Sequence, residues 1–350
     1  MTASSIEITP GLLNFVPPNF SDKQVLSAVF KNFNLKGILK PLMGERDQNF
    51  HLTSIDGQQY IVKISGPNED KEVVQFQTEG LLHIENHTPQ IAIPRIFKTI
   101  DGAYAGVINN NTTHQIRILS YLPGVSVGND IPYDNDILKD VGRYQGHICK
   151  ALSGFSHPAS KYFMAWNSAN GLAFNPNLHA KFNMGEQAKI AELIAGLEER
   201  IFPAIKNLRH QVIHNDGHSW NILFKSKSDH EITGIIDFGD MVYAPMINDL
   251  AVTAESFARP SGNLITAIGA VAEGFNEIIP LKLAEIELLH DLVTLRGMVS
   301  LLLQGYKNQI SSPPNQDLID EQPGNWKFVE RMNEIDRSNA TEYYKTICKI

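Results

Sequence analysis

The segment VIHNDGHSWNILFKSKSDHEITGIIDFGD, residues 212–240, decides how this chain is read. It opens with His214-x-Asp216-x-x-x-x-Asn221 and runs into the apolar stretch Ile222-Leu223-Phe224. A polar turn, Lys225 to His230, leads to a second apolar stretch, Ile232 to Ile236, which ends in Asp237-Phe238-Gly239-Asp240. Two short apolar runs around a polar turn predict a β-hairpin. Antiparallel pairing of its strands brings Asp237 back beside Asn221, although 16 positions separate them. One amide oxygen and one carboxylate then converge at the open end of the hairpin, with Asp216 on the loop just before it.

That donor set is what Mg²⁺ prefers, with phosphate oxygens and water completing its octahedron. Asp216 is placed to accept a proton from a substrate hydroxyl. A hydroxyl-orienting Asp, metal ligands and a phosphate-holding cation are the parts that phosphoryl transfer needs. Lys63, in the strand Tyr60-Ile61-Val62-Lys63-Ile64, supplies the cation. A lysine in an apolar strand needs a carboxylate partner. Glu79, on the helix expected over 70–86, is the first choice and Glu72 the second. His214 is read as a brace for the loop. His214 and His218 have the i, i+4 spacing of a zinc helix, but Asn215 stands where such a site has Glu, and Gly217 opposes a helix. Gly217-His218-Ser219-Trp220-Asn221 fails the Gly-x-Ser-x-Gly elbow of a serine hydrolase at its last residue.

Outward from this segment the chain has two textures. Ser21 is a good N-cap for a helix to Phe33, with Val25, Leu26, Val29, Phe30 and Phe33 on one face. Residues 39–64 read as strands, with Asp56-Gly57 as a hairpin turn. Further strands are expected near Arg95–Thr99, Ala105–Ile108 and Gln115–Ser120. After Tyr121-Leu122-Pro123-Gly124, helices are expected over 136–153, 186–207, 247–258, 263–279 and 282–308. The expected fold class is α+β: a small, antiparallel, β-rich N-lobe and a larger, mostly helical C-lobe, with a cleft between them. Residues 1–20 hold three prolines and are read as draping over the surface.

The 350 residues predict about two domains. An apolar fraction of 43% and a charged fraction of 19% are ordinary for a globular protein. The net charge of −8 argues against a nucleic-acid binder and a basic membrane-surface protein. No Lys or Arg precedes Lys23, so no signal-peptide n-region is present. The longest apolar stretch, Leu288 to Leu303, carries His290, Asp291 and Arg296 and is too short and too charged to span a bilayer. Cys149 and Cys348 lie far apart and build neither a disulfide framework nor a Cys-based zinc site, which suits the cytoplasm.

These residues resemble the aminoglycoside phosphotransferase and choline kinase superfamily, which shares the bilobal protein-kinase-like fold. More narrowly, the chain resembles the hydroxylysine kinase branch and the kinase-like domain of class-III aminotransferase fusions. Leu42-Met43-Gly44-Glu45-Arg46-Asp47-Gln48-Asn49-Phe50 is similar to that branch's Gly-Glu-Arg-Asp-Gln-Asn-Phe loop. Tyr121-Leu122-Pro123-Gly124, Phe155-Ser156-His157-Pro158-Ala159, Ile235–Val242, Asp249-Leu250-Ala251 and, more loosely, Pro314-Asn315 with Trp326 also match.

The resemblance implies that Asp216 is the catalytic base, that Asn221 and Asp237 ligate one or two Mg²⁺ ions, and that Lys63 holds the α- and β-phosphates and pairs with Glu79. Backbone around Gly44–Asn49 would cover the phosphates, and backbone at Ser120, Tyr121 and Leu122 would meet the base of ATP or GTP. Asp249 would brace the catalytic loop. It implies a nucleotide-binding N-lobe with its extension over 1–118 and a C-lobe over 119–350 with the catalytic loop and acceptor site. The loop has one glycine, Gly44, and no Gly-x-Gly-x-x-Gly, so Arg46 and Asn49 become phosphate contacts to consider. Asp249 follows Asp237 by only 12 residues, which leaves no room for a peptide-docking platform. The acceptor is therefore expected to be a small alcohol. Hydroxylysine is the first guess, with homoserine, choline- or ethanolamine-like alcohols and aminoglycosides open, and a non-catalytic nucleotide-binding module as the other class. Asp240 is a candidate for a substrate ammonium, and Arg296 and Tyr306 for a substrate carboxylate. Trp220 either stacks on a substrate or packs beneath the loop. Oligomeric state is not legible.

Overall fold

A computed structural model of the chain describes residues 17–66, 69–128, 132–171, 182–310 and 316–350. Of the surface path expected for residues 1–20, residues 1–16 lie outside the described residues, as does the Pro314-Asn315 match, and Phe20 departs from it: its ring is buried in the core under the sheet, because an aromatic side chain gains most by leaving water. The chain divides into two compact units, residues 17–124 with Thr233–Ile236, and residues 125–232 with Asp237–Ile350.

The first unit is a sheet with two helices. Helix α1 (Asp22–Phe33) starts at a capping box, in which Ser21 and Gln24 satisfy each other's amides. Val25, Ala28, Val29 and Phe33 are buried, whereas Phe30 is 46% exposed, with the Lys36 ammonium 4.8 Å above its ring. Phe30 lies one step round the helix from the Val25–Val29 stripe, and so points outward rather than with it. Strands β1 (Gly37–Leu42), β2 (Gln48–Ser54) and β3 (Gln59–Ile64) run antiparallel, then helix α2 (Lys71–His87) intervenes before β4 (Gly106–Asn109) and β5 (Thr113–Ser120). The sheet order is β1-β2-β3-β5-β4. Alternation puts Phe50, Leu52, Val62, Ile64, Ile116 and Ile118 on the face that packs with Val25, Val29 and Phe33. The strand expected near residues 95–99 is only a bridge between Ile96 and Leu119. Pro94 removes a donor before it, and Thr99 turns back onto Ala103 after it.

The second unit is mostly helical. It begins with α3 (Asn135–Ala151) and α4 (Met184–Ile205), followed by the short strands β6 (His210–Ile213), β7 (Ile222–Phe224) and β9 (Val242–Pro245); the strand between the last two, β8 (Ile232–Ile235), is counted with the first unit from Thr233 onward. The turn between β7 and β8 closes where Lys225 N–H donates to Glu231 O (2.9 Å). Five helices complete it: α5 (Ile247–Ala258), α6 (Leu264–Ile278), α7 (Leu283–Ile310), α8 (Gln316–Glu334) and α9 (Arg337–Cys348). Most of α7 is buried, and α4, α5, α8 and α9 all pack on it. No described helix is long and apolar enough to cross a membrane.

Two glycines set the closest helix pair. A methyl group on Gly274 of α6 would overlap the carbonyl oxygen of Lys139 on α3, and one on Gly142 of α3 would overlap that of Val271 on α6. Backbone atoms cannot swing aside, so Gly274→Ala should destabilise the protein by about 1–3 kcal/mol. Gly262→Ala, with nothing within 4 Å, is the control that should leave the denaturation midpoint in place. Equal midpoints for the two variants would refute the close-packing argument.

Candidate active site

Pairing of β6 with β9 builds the centre of the second unit. Ile213 sits opposite Val242, so the loop that leaves β6 starts beside the residues that lead into β9. One face of α5 then holds the loop. Asp249 accepts from the amides of Asn215 (2.7 Å) and His214 (3.3 Å), Thr253 donates to Gly217 O (2.9 Å), and Ser256 Oγ accepts from Ser219 N (3.1 Å). Asn215 takes a left-handed backbone conformation, φ 65°, to present its amide. Burial pushes the Asp249 carboxyl up to about 6 against those hydrogen bonds. His214 Nδ1 accepts from the Asp216 amide (3.2 Å), and its ring meets Phe238 edge-on at 4.6 Å.

Asp216 therefore projects from a braced loop. Asn221 Nδ2 donates to its Oδ2 (2.7 Å) and to its backbone oxygen (3.0 Å). His218 Nε2 lies 3.4 Å from the same Oδ2, and Arg296 Nη2 lies 3.6 Å from Oδ1. Burial by itself would push the Asp216 carboxyl up, but the charge and hydrogen bond of His218 and the charge of Arg296 outweigh it and hold the carboxyl well below its usual range. His218 Nδ1 accepts from the Trp220 amide (3.1 Å), which leaves Nε2 as the proton-bearing nitrogen facing Asp216. Burial pushes His218 down, and the negative charges of Asp216 and Asp237 raise it overall. His218 thus feels both Asp216 and Asp237, and Asn221 holds Asp216.

Asp237 is exposed and left-handed, φ 61°, with Oδ1 accepting from Gly239 N (3.3 Å). Among the described residues Asn221 meets Asp216 through Nδ2, so its Oδ1 is the atom left for a cation. The donor set, one amide oxygen and one exposed carboxylate, suits Mg²⁺. No three His, Cys, Asp or Glu side chains are grouped to hold a metal alone among the described residues, so an ion here would also need ligand oxygens.

The three acceptor candidates fall in the same unit. Asp240 and Tyr306 are buried. Arg296 is buried beside Asp216, and its Nη1 donates to Trp166 O (2.8 Å). Trp220 is 51% exposed, with its indole against Gly128.

In the first unit, register aligns Asn49 of β2, Lys63 of β3 and Arg117 of β5 across the sheet, on the face opposite the α1 core. Lys63 Nζ lies 3.3 Å from Asp47 Oδ2, and Arg117 donates to Gln77 Oε1 (3.1 Å) on α2. Glu79 accepts from Gln75 Nε2 (2.7 Å). Burial and the nearby Asp47 push the Glu69 carboxyl up, while Arg46, Arg117 and Lys63 oppose them. Gly44 is required in its loop because a methyl group there would overlap Asp47 O. Asn49 Nδ2 reaches Met43 O (3.4 Å) across the same bend. The Ser120 amide donates to Arg95 O (2.8 Å) and the Tyr121 amide to Gln59 O (3.3 Å). Of the three, the Leu122 amide is the donor still available to a ligand.

Sequence reading missed Asp47 as a partner of Lys63, Arg117 as its neighbour, and His218 as the partner of Asp216. The stripe Asp249, Thr253 and Ser256, polar at helical spacing inside an apolar helix, was a legible signal for the loop brace.

The profile of the phosphotransferase enzyme family matches residues 38–282. The hydroxylysine kinase of Xenopus laevis is 26% identical over 348 residues, covering 93% of this chain and 93% of that protein. The amicoumacin kinase hAmiN, solved in complex with AMP-PNP, Ca²⁺ and Ami, shares the fold with a TM-score of 0.70 at 15% identity, covering 91% of this chain and 97% of its own. A microcompartment-associated aminopropanol kinase superposes with a TM-score of 0.68 at 14% identity, covering 93% of this chain and 95% of its own. The match over most of its length means that the chain belongs to the phosphotransferase enzyme family, as a small-molecule kinase with an alcohol group as acceptor.

Proposed function

We propose that the protein transfers the γ-phosphoryl group of ATP or GTP to the hydroxyl of a hydroxylated amino acid of the hydroxylysine type. The observation that carries this reading is Asp216, a carboxylate kept ionised by His218 and Arg296 and aimed by Asn221. The similarity to the frog hydroxylysine kinase over 93% of both chains supports the choice of acceptor.

Asp216 accepts a hydrogen bond from the acceptor hydroxyl, orients its oxygen in line with the γ-phosphorus and takes its proton as the new P–O bond forms. A carboxylate held this far below its usual range is a weak base, so its main contribution is orientation. That suits a loose transition state in which little proton transfer is needed early. His218 keeps Asp216 in place through Nε2. Lys63 contacts the α- and β-phosphates, with Glu79 as its proposed partner, and the Gly44–Asn49 backbone, with Arg46 and Asn49, covers them. The Leu122 amide donates to the nucleobase. Asn221 Oδ1 and the Asp237 carboxylate would hold Mg²⁺, which when bound neutralises phosphate charge. Two buried, free cysteines support a reducing, cytoplasmic setting.

A coupled nucleotide-consumption assay tests the proposal, using ATP and GTP against hydroxylysine, homoserine, ethanolamine, choline and aminoglycosides. The highest kcat/KM is expected with hydroxylysine. A higher value with any other acceptor overturns the choice of substrate, and magnesium-dependent nucleotide binding without turnover of any acceptor overturns the kinase reading.

A further inference from the structure

Arg296 is 5% exposed, and its hydrogen bonding is incomplete. Nη1 donates to Trp166 O (2.8 Å) and Nη2 stands 3.6 Å from Asp216 Oδ1, while Nε–H is buried with no hydrogen-bond partner among the described residues. An unpaired, buried guanidinium N–H carries the full penalty of its lost hydration. Nε and Nη2 form the edge of arginine that grips a carboxylate through two parallel hydrogen bonds. Asp216 does not fill that edge: it approaches Nη2 alone, and at more than hydrogen-bond length.

The surroundings of Arg296 also call for an anion. Its guanidinium carbon lies 5.0 Å from the centre of the Trp166 ring, and Lys307 Nζ lies 4.7 Å from the same point. Arg296 and Lys307 are three turns apart on α7, so their side chains converge on one indole from opposite ends of that stretch. Both side chains bring positive charge to one ring, which favours an anionic ligand there.

We propose that the Nε–Nη2 edge of Arg296 binds a carboxylate of the acceptor, with Lys307 adding positive charge across Trp166. The site then selects a hydroxylated amino acid over the amino alcohol that lacks the carboxyl group. This rests on the reading of Asp216 as the residue that orients the hydroxyl. The Arg296–Asp216 approach sets carboxylate and hydroxyl side by side, which fits a molecule that carries both on one short, flexible chain.

The test compares 5-hydroxylysine with its decarboxylated counterpart, 1,5-diaminopentan-2-ol, as acceptors for the full-length protein. A preference in kcat/KM on the order of 10²-fold for hydroxylysine is expected, because the analogue leaves the arginine edge empty. In Arg296→Gln both acceptors should slow, since Arg296 also faces Asp216. The ratio between them cancels that shared loss and should fall to within about threefold of unity. Arg296→Lys keeps a charge but not the two-pronged edge. It should also lower the ratio, and it serves if the glutamine variant does not fold. A wild-type ratio near one overturns the inference without reference to any variant, as does a ratio that either folded variant leaves unchanged. Turnover of both acceptors with a flat ratio removes the carboxylate site alone. Turnover of neither removes the hydroxyl-orienting reading on which the site stands, and the inference with it.

Discussion

Asp216→Asn should lower kcat by on the order of 10²-fold or more while leaving nucleotide affinity nearly unchanged. The two side chains are isosteric, and an asparagine at this position can still accept from Asn221 Nδ2, so the loop braced by Asp249, Thr253 and Ser256 should keep its shape. What disappears is the charge that orients the hydroxyl and receives its proton. The variant has a second signature. Burial pushes His218 down, and the charges of Asp216 and Asp237 hold it up. With Asp216 neutralised, the imidazole should titrate at lower pH, which NMR of the histidine ring reads directly. Single-turnover rates and nucleotide titrations complete the measurement, and full activity in the variant would sink the assignment.

Asp237→Ala should abolish magnesium-dependent nucleotide binding. Asp237 is exposed and its backbone is left-handed. Asparagine tolerates that conformation better than alanine does, so Asp237→Asn separates loss of the ligand charge from backbone strain. Both variants should lose the dependence of nucleotide affinity on magnesium in calorimetric titrations, whereas a mutation that only strained the turn would spare it in the asparagine form. Unchanged magnesium-dependent binding in both refutes the ligand role.

The parts of the fold that were legible are those whose signals are local. Helix α5 spans Ile247–Ala258, the expected range, because its apolar period is strong and unbroken. The stretch around Gln316–Glu334 carries no clear local signal because Pro323 and Gly324 interrupt its pattern, yet packing on α7 makes it a helix. The row Asn49–Lys63–Arg117 depends on β5 lying next to β3, although α2 and β4 intervene in sequence. No local pattern carries that order. In the site, Asp216, Asn221 and Asp237 stood out because their spacing surrounds one turn. Arg296 is legible in the sequence as a charge in an apolar helix and a candidate for a substrate carboxylate, but not as a neighbour of Asp216. Its place beside Asp216 comes from the packing of α7, 80 residues further along the chain.

The first unit also takes in Thr233–Ile236, more than 100 residues after the rest of it ends at Gly124. Thr233 Oγ1 donates to Pro123 O (3.0 Å), and the Ile235 amide donates to Ala92 O (3.2 Å). During synthesis the N-terminal sheet must therefore wait for much of the helical unit to leave the ribosome before its last hydrogen bonds can form. A fragment truncated after Gly124 leaves Ala92 O and Pro123 O without these donors, so the sheet unit is a compact body in space but not a separable gene segment.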